Sequence, residues 1–153
     1  MFQFIEFPDL RDNEIKLIVK GYDEPDLDNL DIKYAYRYEF SIVLIETNEE
    51  VGEVYFAVDT SSRQYLRGHI SYGVFPAYRG NNYAMKACLL IKHVALAHGF
   101  SRVFIGTDYD NIASRKTIEK LGAVPITKDD VPEDEILKKL QEEKTDMFVW
   151  NIA

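Results

Sequence analysis

The chain has 153 residues, a formal net charge of −8, and 46% hydrophobic and 13% aromatic residues. This length and apolar content predict one folded domain over residues 1–153 and argue against a disordered chain. The excess of carboxylates disfavours nucleic acid as a partner, because an acidic surface repels phosphates.

The sequence favours neither a signal peptide nor a membrane-spanning segment. Met1–Asp12 has neither the basic start nor the clean apolar core of a signal peptide, and no apolar run in the chain is long enough to span a bilayer. We therefore expect a cytoplasmic protein without a membrane partner.

The N-terminal half predicts an antiparallel sheet. Apolar, β-branched runs predict strands over Glu14–Tyr22, Tyr38–Glu46 and Val51–Val58, with a hairpin turn at Thr47–Glu50.

Two less regular segments separate these strands from each other and from the middle of the chain. The acidic segment Asp23–Asp31, with Pro25 near its start, predicts a short helix ahead of Ile32–Tyr36. Asp59–Gln64 is a polar loop. Neither segment carries a recognisable motif.

The middle of the chain predicts a strand–helix–strand–helix unit with a parallel pair of strands. Its strands are Gly68–Phe75 and Ser101–Thr107, and its helices are Ala84–His98 and Asn111–Leu121. Alternation in the first strand places Ile70, Tyr72 and Val74 on one face and His69, Ser71 and Gly73 on the other. Gly73 inside a strand suggests a bulge or a close backbone approach.

The long helix of this unit is expected to be largely buried. Ala87, Leu90, Ile91 and Val94 follow the spacing of one helix face, and Gly99 suits the residue that ends the helix. Cys88 lies in the same apolar run and is interpreted as a core thiol. Because it is the only cysteine, it excludes an internal disulfide and a cysteine-rich metal site, and no metal is expected.

The C-terminal segment returns to an antiparallel pattern. Pro132 opens a helix with Glu133, Asp134 and Glu135 in its first turn and lysines later, as the helix dipole favours. Asp146–Ile152 is the last strand. The whole pattern predicts a mixed α/β fold, antiparallel at both ends and parallel in the middle.

The joint between the first strand and the long helix can hold an anion. The first amides of a helix have no partner within the helix, so they can bind a phosphate at the positive end of the helix dipole. Arg79 adds charge, Gly80 lets a ligand approach the backbone, and Asn81 and Asn82 tolerate left-handed backbone angles. Many such joints bind nothing, so this signal alone is weak.

Two motifs in the right order make the assignment more specific. Val74-Phe75-Pro76 is followed by Arg79-Gly80-Asn81-Asn82-Tyr83-Ala84, and later by Asn111-Ile112-Ala113-Ser114 and Glu119-Lys120-Leu121-Gly122. The run Gly68–Gly122 thereby resembles the GNAT family of N-acetyltransferases, which move an acetyl group from acetyl-CoA to an amine. The resemblance implies a central, mostly antiparallel sheet splayed between two parallel strands and flanked by helices.

Carried over to this sequence, the resemblance implies a set of cofactor contacts. The backbone of Gly73, Val74 and Phe75 would bind the pantetheine arm, and the amides of Arg79, Gly80, Asn81, Asn82, Tyr83 and Ala84 would bind the pyrophosphate. Asn111 would contact the pantetheine or the acetyl end from the second helix, with Ser114 one turn further along. Asn111 suits a helix N-cap equally well, and Ser114 shares a face with packing residues.

The chain departs from the family pattern at two positions. Asn82 stands where the family has a second glycine, although asparagine can adopt the same backbone angles. Ile118 stands where many members carry a tyrosine that protonates the leaving thiolate. A helix N-terminus, water or another hydroxyl could serve instead. Tyr109 is one candidate, and plain packing is the alternative for it.

The base that deprotonates the acceptor amine is open between two residues. His69 would titrate in the useful range, and Glu53 on the neighbouring strand could act through water. Each could equally be a polar group at a strand edge with its hydrogen bonds satisfied.

We expect an N-acetyltransferase in which an amine attacks the thioester directly. The alternative is a non-catalytic CoA-binding or protein-interaction module, and a homodimer is left open. No motif in the sequence identifies the acceptor amine. No nucleotide-binding P-loop or dinucleotide fingerprint is present in the sequence.

Overall fold

The computed structural model describes residues 1–30 and 32–153, which form two antiparallel sheets and four α-helices. The first sheet contains, in spatial order, β1 (Ile15–Asp23), β2 (Tyr36–Leu44), β3 (Glu50–Val58) and β4 (Ile70–Val74). The second contains β5 (Arg102–Asp108), β6 (Val124–Pro125) and β7 (Thr145–Asn151), with β7 in the middle. The helices are α1 (Gln64–Arg67), α2 (Tyr83–Ala97), α3 (Ile112–Lys120) and α4 (Asp134–Glu142), and a short 3₁₀ turn spans Pro76–Tyr78.

The predicted strands, α2 and α3 lie within two residues of their predicted bounds, and α4 begins two residues after its predicted start at Pro132. The short helix expected in Asp23–Asp31 is wrong for the described residues, and Asp31 itself lies outside them. Asp26 forms a side-chain-stabilised turn instead: its Oδ1 accepts from Asp28 N–H at 3.0 Å, and its carbonyl accepts from Asn29 N–H at 3.0 Å. Short aspartate side chains favour such turns over helix. α1 and β6 were not predicted.

The core lies between the first sheet and α2. The predicted α2 face, Ala87, Leu90, Ile91 and Val94, is buried. It packs in one cluster with alternate residues of the sheet, including Ile15, Phe40, Val54, Phe56 and Ile70. Cys88 is buried in the same cluster, and burial raises the pKa of its thiol to about 12, so it is inert as a nucleophile.

The two sheets meet at one end of β4 and β5 and diverge from there. The His69 N–H donates to the Phe104 carbonyl at 2.7 Å, and the described residues contain no ladder between the two strands beyond this bond. β4 pairs instead with β3, and β5 with β7. The predicted parallel pair is therefore present as two splayed strands, which confirms the expected fold class and opens a gap between them.

Gly73 pairs in regular register with Glu53, so no bulge interrupts β4 there. The close backbone approach lies across the ladder, where a Cβ on Gly52 would come within 2.3 Å of the Gly73 carbonyl oxygen. None of the helices within 1–30 and 32–153 is long and apolar enough to cross a membrane.

Candidate functional site

A cleft of about 510 Å³ lies between the end of β4, the segment that leads into α2, and one face of α3. All of the predicted cofactor-binding residues except Phe75 line it. They are Gly73, Val74, Arg79, Gly80, Asn81, Asn82, Tyr83, Ala84, Asn111 and Ser114. Phe75 is 38% exposed and does not line the cleft. Two motifs separated in sequence thus form the walls of one cleft.

The loop before α2 has the backbone conformation of an anion cradle. Gly80 has φ +87° and Asn82 has φ +62°, so both adopt left-handed angles. The side chain of Asn82, the N-cap residue of α2, makes no capping hydrogen bond within the described part of the chain, which leaves the first amides of the helix for a ligand. Asn82 therefore takes the left-handed conformation that glycine adopts without strain, as the sequence indicated.

Three cationic side chains line the cleft, and two of them, Arg79 and Lys120, contact the segment that forms the cradle. Arg79 lies on the loop itself, where its Nε donates to the Val74 carbonyl at 3.2 Å. Lys116 and Lys120 line the cleft from α3, and the Lys120 ammonium donates to Asn82 Oδ1 at 2.8 Å. The sequence analysis did not identify these two lysines. Their spacing of four residues places them on one helix face, but only the fold shows that this face lines the cleft.

Asn111 and Ser114 lie at the other end of α3. Asn111 is the N-cap of the helix, because its Oδ1 accepts from Ser114 N–H at 3.1 Å. The Ser114 hydroxyl lies 2.9 Å from the Tyr72 hydroxyl of β4. The cleft is thus crossed by two contacts, one from Lys120 to Asn82 and one from Tyr72 to Ser114.

His69 lies outside the cleft and is only 2% exposed. Its Nδ1 accepts from Phe104 N–H at 2.9 Å, so Nε2 carries the proton and donates to the Asp59 carbonyl at 2.9 Å. Burial lowers the pKa of its imidazole. Both ring nitrogens are occupied and the ring is held neutral, an arrangement that suits a structural link between β4 and β5 better than a general base.

Glu53 lies on the opposite face of the first sheet from α2. Its carboxylate accepts hydrogen bonds from the Lys20 ammonium and from the Tyr55 hydroxyl. The Lys20 bond, followed by the Tyr55 bond, lowers the pKa of this carboxyl, so it is ionised at neutral pH. Glu53 faces Gly73 across the ladder, and a Cβ placed on Gly73 would meet no atom within 4 Å. The space above Gly73 is open.

The remaining two positions lie apart from the cleft. Tyr109 is 44% exposed on the turn after β5 and does not line the cleft. Ile118 is fully buried in the main core. A second cavity of about 420 Å³ is lined by α1, α4 and the ends of β5 and β7, with Arg67, Asp108, Lys139 and Glu143 among its residues. The described part of the chain contains no cluster of three or more potential metal ligands.

Comparison with known proteins agrees with this geometry. The family described as acetyltransferase (GNAT) domain matches residues 13–124. N-alpha-acetyltransferase 30 of Schizosaccharomyces pombe is 31% identical over 97 residues, which cover 59% of this chain and 65% of that protein. The chain therefore spans a little under two thirds of the length of this curated relative.

Solved structures share the fold at low sequence identity. An acetyltransferase from Agrobacterium tumefaciens has a TM-score of 0.67 and 14% identity, and the match covers 99% of this chain and 98% of that one. A domain from Methanocaldococcus jannaschii has a TM-score of 0.57 and 19% identity, covering 75% and 66%. The microcin C7 self-immunity acetyltransferase, solved with acetyl-CoA and AMP, has a TM-score of 0.53 and 16% identity, covering 82% and 64%.

Proposed function

Because the chain belongs to the GNAT acetyltransferase family, we propose that it transfers an acetyl group from acetyl-CoA to a primary amine of a small molecule or peptide. The observation that carries this proposal is the cleft. Its loop, in which Gly80 and Asn82 have left-handed backbone angles, exposes the first amides of α2, and Arg79, Lys116 and Lys120 line the same cleft. Backbone donors and positive charges suit a pyrophosphate much better than an uncharged ligand.

The cleft also has a direction that fits CoA. Its charged end holds the loop and Lys120, the last residue of α3, and Lys116 lines the cleft one turn before it. Its other end holds Asn111, Ser114 and Gly73, and none of these lining residues is cationic. The phosphates would bind at the first end and the pantetheine arm would run along β4 towards the second.

The acceptor amine would approach from the other face of the first sheet. Gly73 lines the cleft on one side, while the space above its α-carbon is open on the side of Glu53. Glu53 already binds an ammonium, that of Lys20. An acceptor ammonium could take that place and lose its proton to the carboxylate directly or through water before it attacks the thioester.

No covalent enzyme intermediate is part of this proposal. The cleft offers no reactive thiol, since Cys88 is buried in the core with its pKa raised to about 12. Orientation of the two substrates and the oriented backbone amides would supply most of the acceleration. The name of the S. pombe relative makes peptide α-amines the first acceptors to test.

Two measurements test the proposal. CoA at about a hundred times its dissociation constant is expected to raise the melting temperature by about 5–10 °C, while NAD and ATP raise it much less. Release of free thiol from acetyl-CoA is then measured with peptides of varied N-terminus, polyamines, amino acids and aminoglycosides. The matched control is the double variant Lys116→Gln/Lys120→Gln, which should fold normally and shift less with CoA.

The outcomes separate the alternatives. An unchanged melting temperature at saturating CoA would remove the cofactor assignment. Stabilisation by CoA without thiol release for any amine would instead favour a non-catalytic CoA-binding module. Ile118 keeps this second function open, because isoleucine has no hydroxyl and its side chain is buried in the core.

A further inference from the structure

Tyr72 brings a hydroxyl group from β4 to the wall of the cleft. Its Oη lies 2.9 Å from the Ser114 hydroxyl and 3.4 Å from the Ser114 carbonyl oxygen, both on α3. The Ser114 carbonyl is the group that the amide of Ile118 reaches in an α-helix, because the residues are four apart. Tyr72 thus places a phenol at the turn of α3 that contains Ile118.

The position of this phenol along the cleft matters. The loop and Lys120, which contacts Asn82, mark the phosphate end, and the Tyr72–Ser114 contact near the start of α3 marks the opposite end. If the phosphates of CoA bind at the charged end, then the sulfur at the far end of the pantetheine arm lies towards Tyr72. Gly73, the next residue, opens towards Glu53 and the acceptor side.

Other hydroxyl groups that line the cleft are committed or lie elsewhere. Tyr78 donates to Glu49 at 2.6 Å, and Thr117 donates to the Ala113 carbonyl at 3.1 Å. Tyr83 lies in the first turn of α2, at the phosphate end. The Tyr72 proton faces the hydroxyl of Ser114, which can donate in its place, the hydroxyl of Thr117, whose own proton goes to Ala113, and a carbonyl at the long distance of 3.4 Å. It is therefore free to turn towards a ligand.

We propose that the Tyr72 hydroxyl donates a hydrogen bond to the sulfur that leaves acetyl-CoA, and that Ser114 positions this hydroxyl. The inference rests on the proposed function. As the amine nitrogen forms its bond to the acetyl carbon, the carbon–sulfur bond breaks and the sulfur keeps the electron pair. Tyr72 stabilises that thiolate, and the amine proton leaves on the side of Glu53 to the carboxylate or to water.

The environment of Tyr72 supports the role of a donor that keeps its proton. Burial raises the pKa of this phenol to about 12, so it stays protonated at any working pH. A donor fixed before the reaction needs no reorganisation as charge develops on the sulfur. Ser114 would turn its own proton towards the Tyr72 oxygen and leave the phenol proton free for the ligand.

The decisive experiment titrates the thiol of bound CoA by the ultraviolet absorbance of its thiolate. In the unaltered protein, bound CoA should ionise at a lower pH than free CoA. In Tyr72→Phe the pKa of the bound thiol should rise by about 1–2 units, since a hydrogen bond to a charged group is lost. The same loss should lower kcat about 10–100-fold with little change in KM for acetyl-CoA.

Matched variants control for structural effects. Tyr22→Phe, at a half-exposed tyrosine of β1 outside the cleft, should leave both the thiol pKa and kcat unchanged. Ser114→Ala should raise the thiol pKa by less than Tyr72→Phe does. If Tyr72→Phe lowers the melting temperature strongly, a fluorinated tyrosine incorporated at position 72 keeps the volume. It should lower the thiol pKa further, because a more acidic phenol is a stronger donor.

Equal thiol pKa values in the unaltered protein, in Tyr72→Phe and in the fluorinated variant would overturn the inference. If the unaltered protein binds CoA and acetylates an amine, that result removes only the role of Tyr72. If the unaltered protein does not bind CoA at all, the proposed function itself is wrong. The two failures are therefore distinguishable in one set of measurements.

Discussion

Replacing His69 by alanine is expected to destabilise the fold without removing a general base. The substitution deletes two buried hydrogen bonds, one from Phe104 N–H and one to the Asp59 carbonyl. Each buried backbone group left unpaired costs about 1–3 kcal/mol, so the free energy of unfolding should fall by about 2–6 kcal/mol. Loss of ring contacts with Phe100 and Phe104 acts in the same direction.

The pH dependence of stability follows from the lowered pKa of this imidazole. Below the ordinary histidine value of 6.5, the unfolded chain takes up a proton at His69 that the folded chain resists. The free energy of unfolding should therefore fall as the pH drops below about 6.5, by up to about 1.4 kcal/mol per pH unit. His98, whose pKa burial also lowers, adds to this slope.

Urea unfolding between about pH 5 and pH 7.5 measures both effects. His69→Ala should show a lower free energy of unfolding at neutral pH and a shallower loss towards acid. His93→Ala is the matched control, because His93 is exposed on α2. In the folded fraction, kcat/KM of His69→Ala should keep its rise with pH. Normal stability together with loss of that rise would refute the structural role and restore His69 as the base.

Three further predictions concern other residues of the site. Ile118→Ala should lower the free energy of unfolding, measured in urea, by about 2–5 kcal/mol, because Ile118 is a core side chain. The pH profile of kcat should not change, and normal stability with a shifted profile would contradict this. In calorimetry, Asn82→Gly should bind CoA with unchanged affinity. Asn82→Ala should bind CoA more weakly and lose about 1–2 kcal/mol of stability, since alanine is strained at φ +62°. Equal affinity of the two variants would argue against the cradle. Glu53→Gln should lower kcat/KM about 10²–10⁴-fold and remove its rise with pH, and persistence of that rise would mean that it reports the ionisation of the acceptor amine.

Local sequence signals predicted the elements that form the cleft. The apolar spacing from Ala87 to Val94 predicted the buried face of α2, and Gly99 ends that helix with φ +85°, as its position indicated. These helix signals are local in the chain, which is why a single sequence was enough to read them. That Arg79–Ala84 and Asn111–Ser114 lie in one site was, in contrast, what the resemblance to the GNAT family implied.

The partners of individual side chains could not be read in the same way. Alternation placed His69 on a polar face, but β5 covers that end of β4 and buries the ring. Tyr72 was predicted on the apolar face, and only the approach of α3 shows that its hydroxyl reaches Ser114. β6 has two residues and pairs with β7 over Val124 and Pro125, a pairing too short to leave a pattern.

The two departures from the family pattern have different physical consequences. At position 82 the requirement is a backbone conformation, and asparagine meets it with φ +62°. At position 118 many members of the family carry a tyrosine hydroxyl, and no conformation of isoleucine can supply one. A hydroxyl can, however, come from another element if its oxygen reaches the same turn, and Tyr72 reaches that turn from β4. Under the proposed function, the donor to the leaving sulfur is therefore defined by where its hydroxyl lies in space, and the residue that carries this hydroxyl can change.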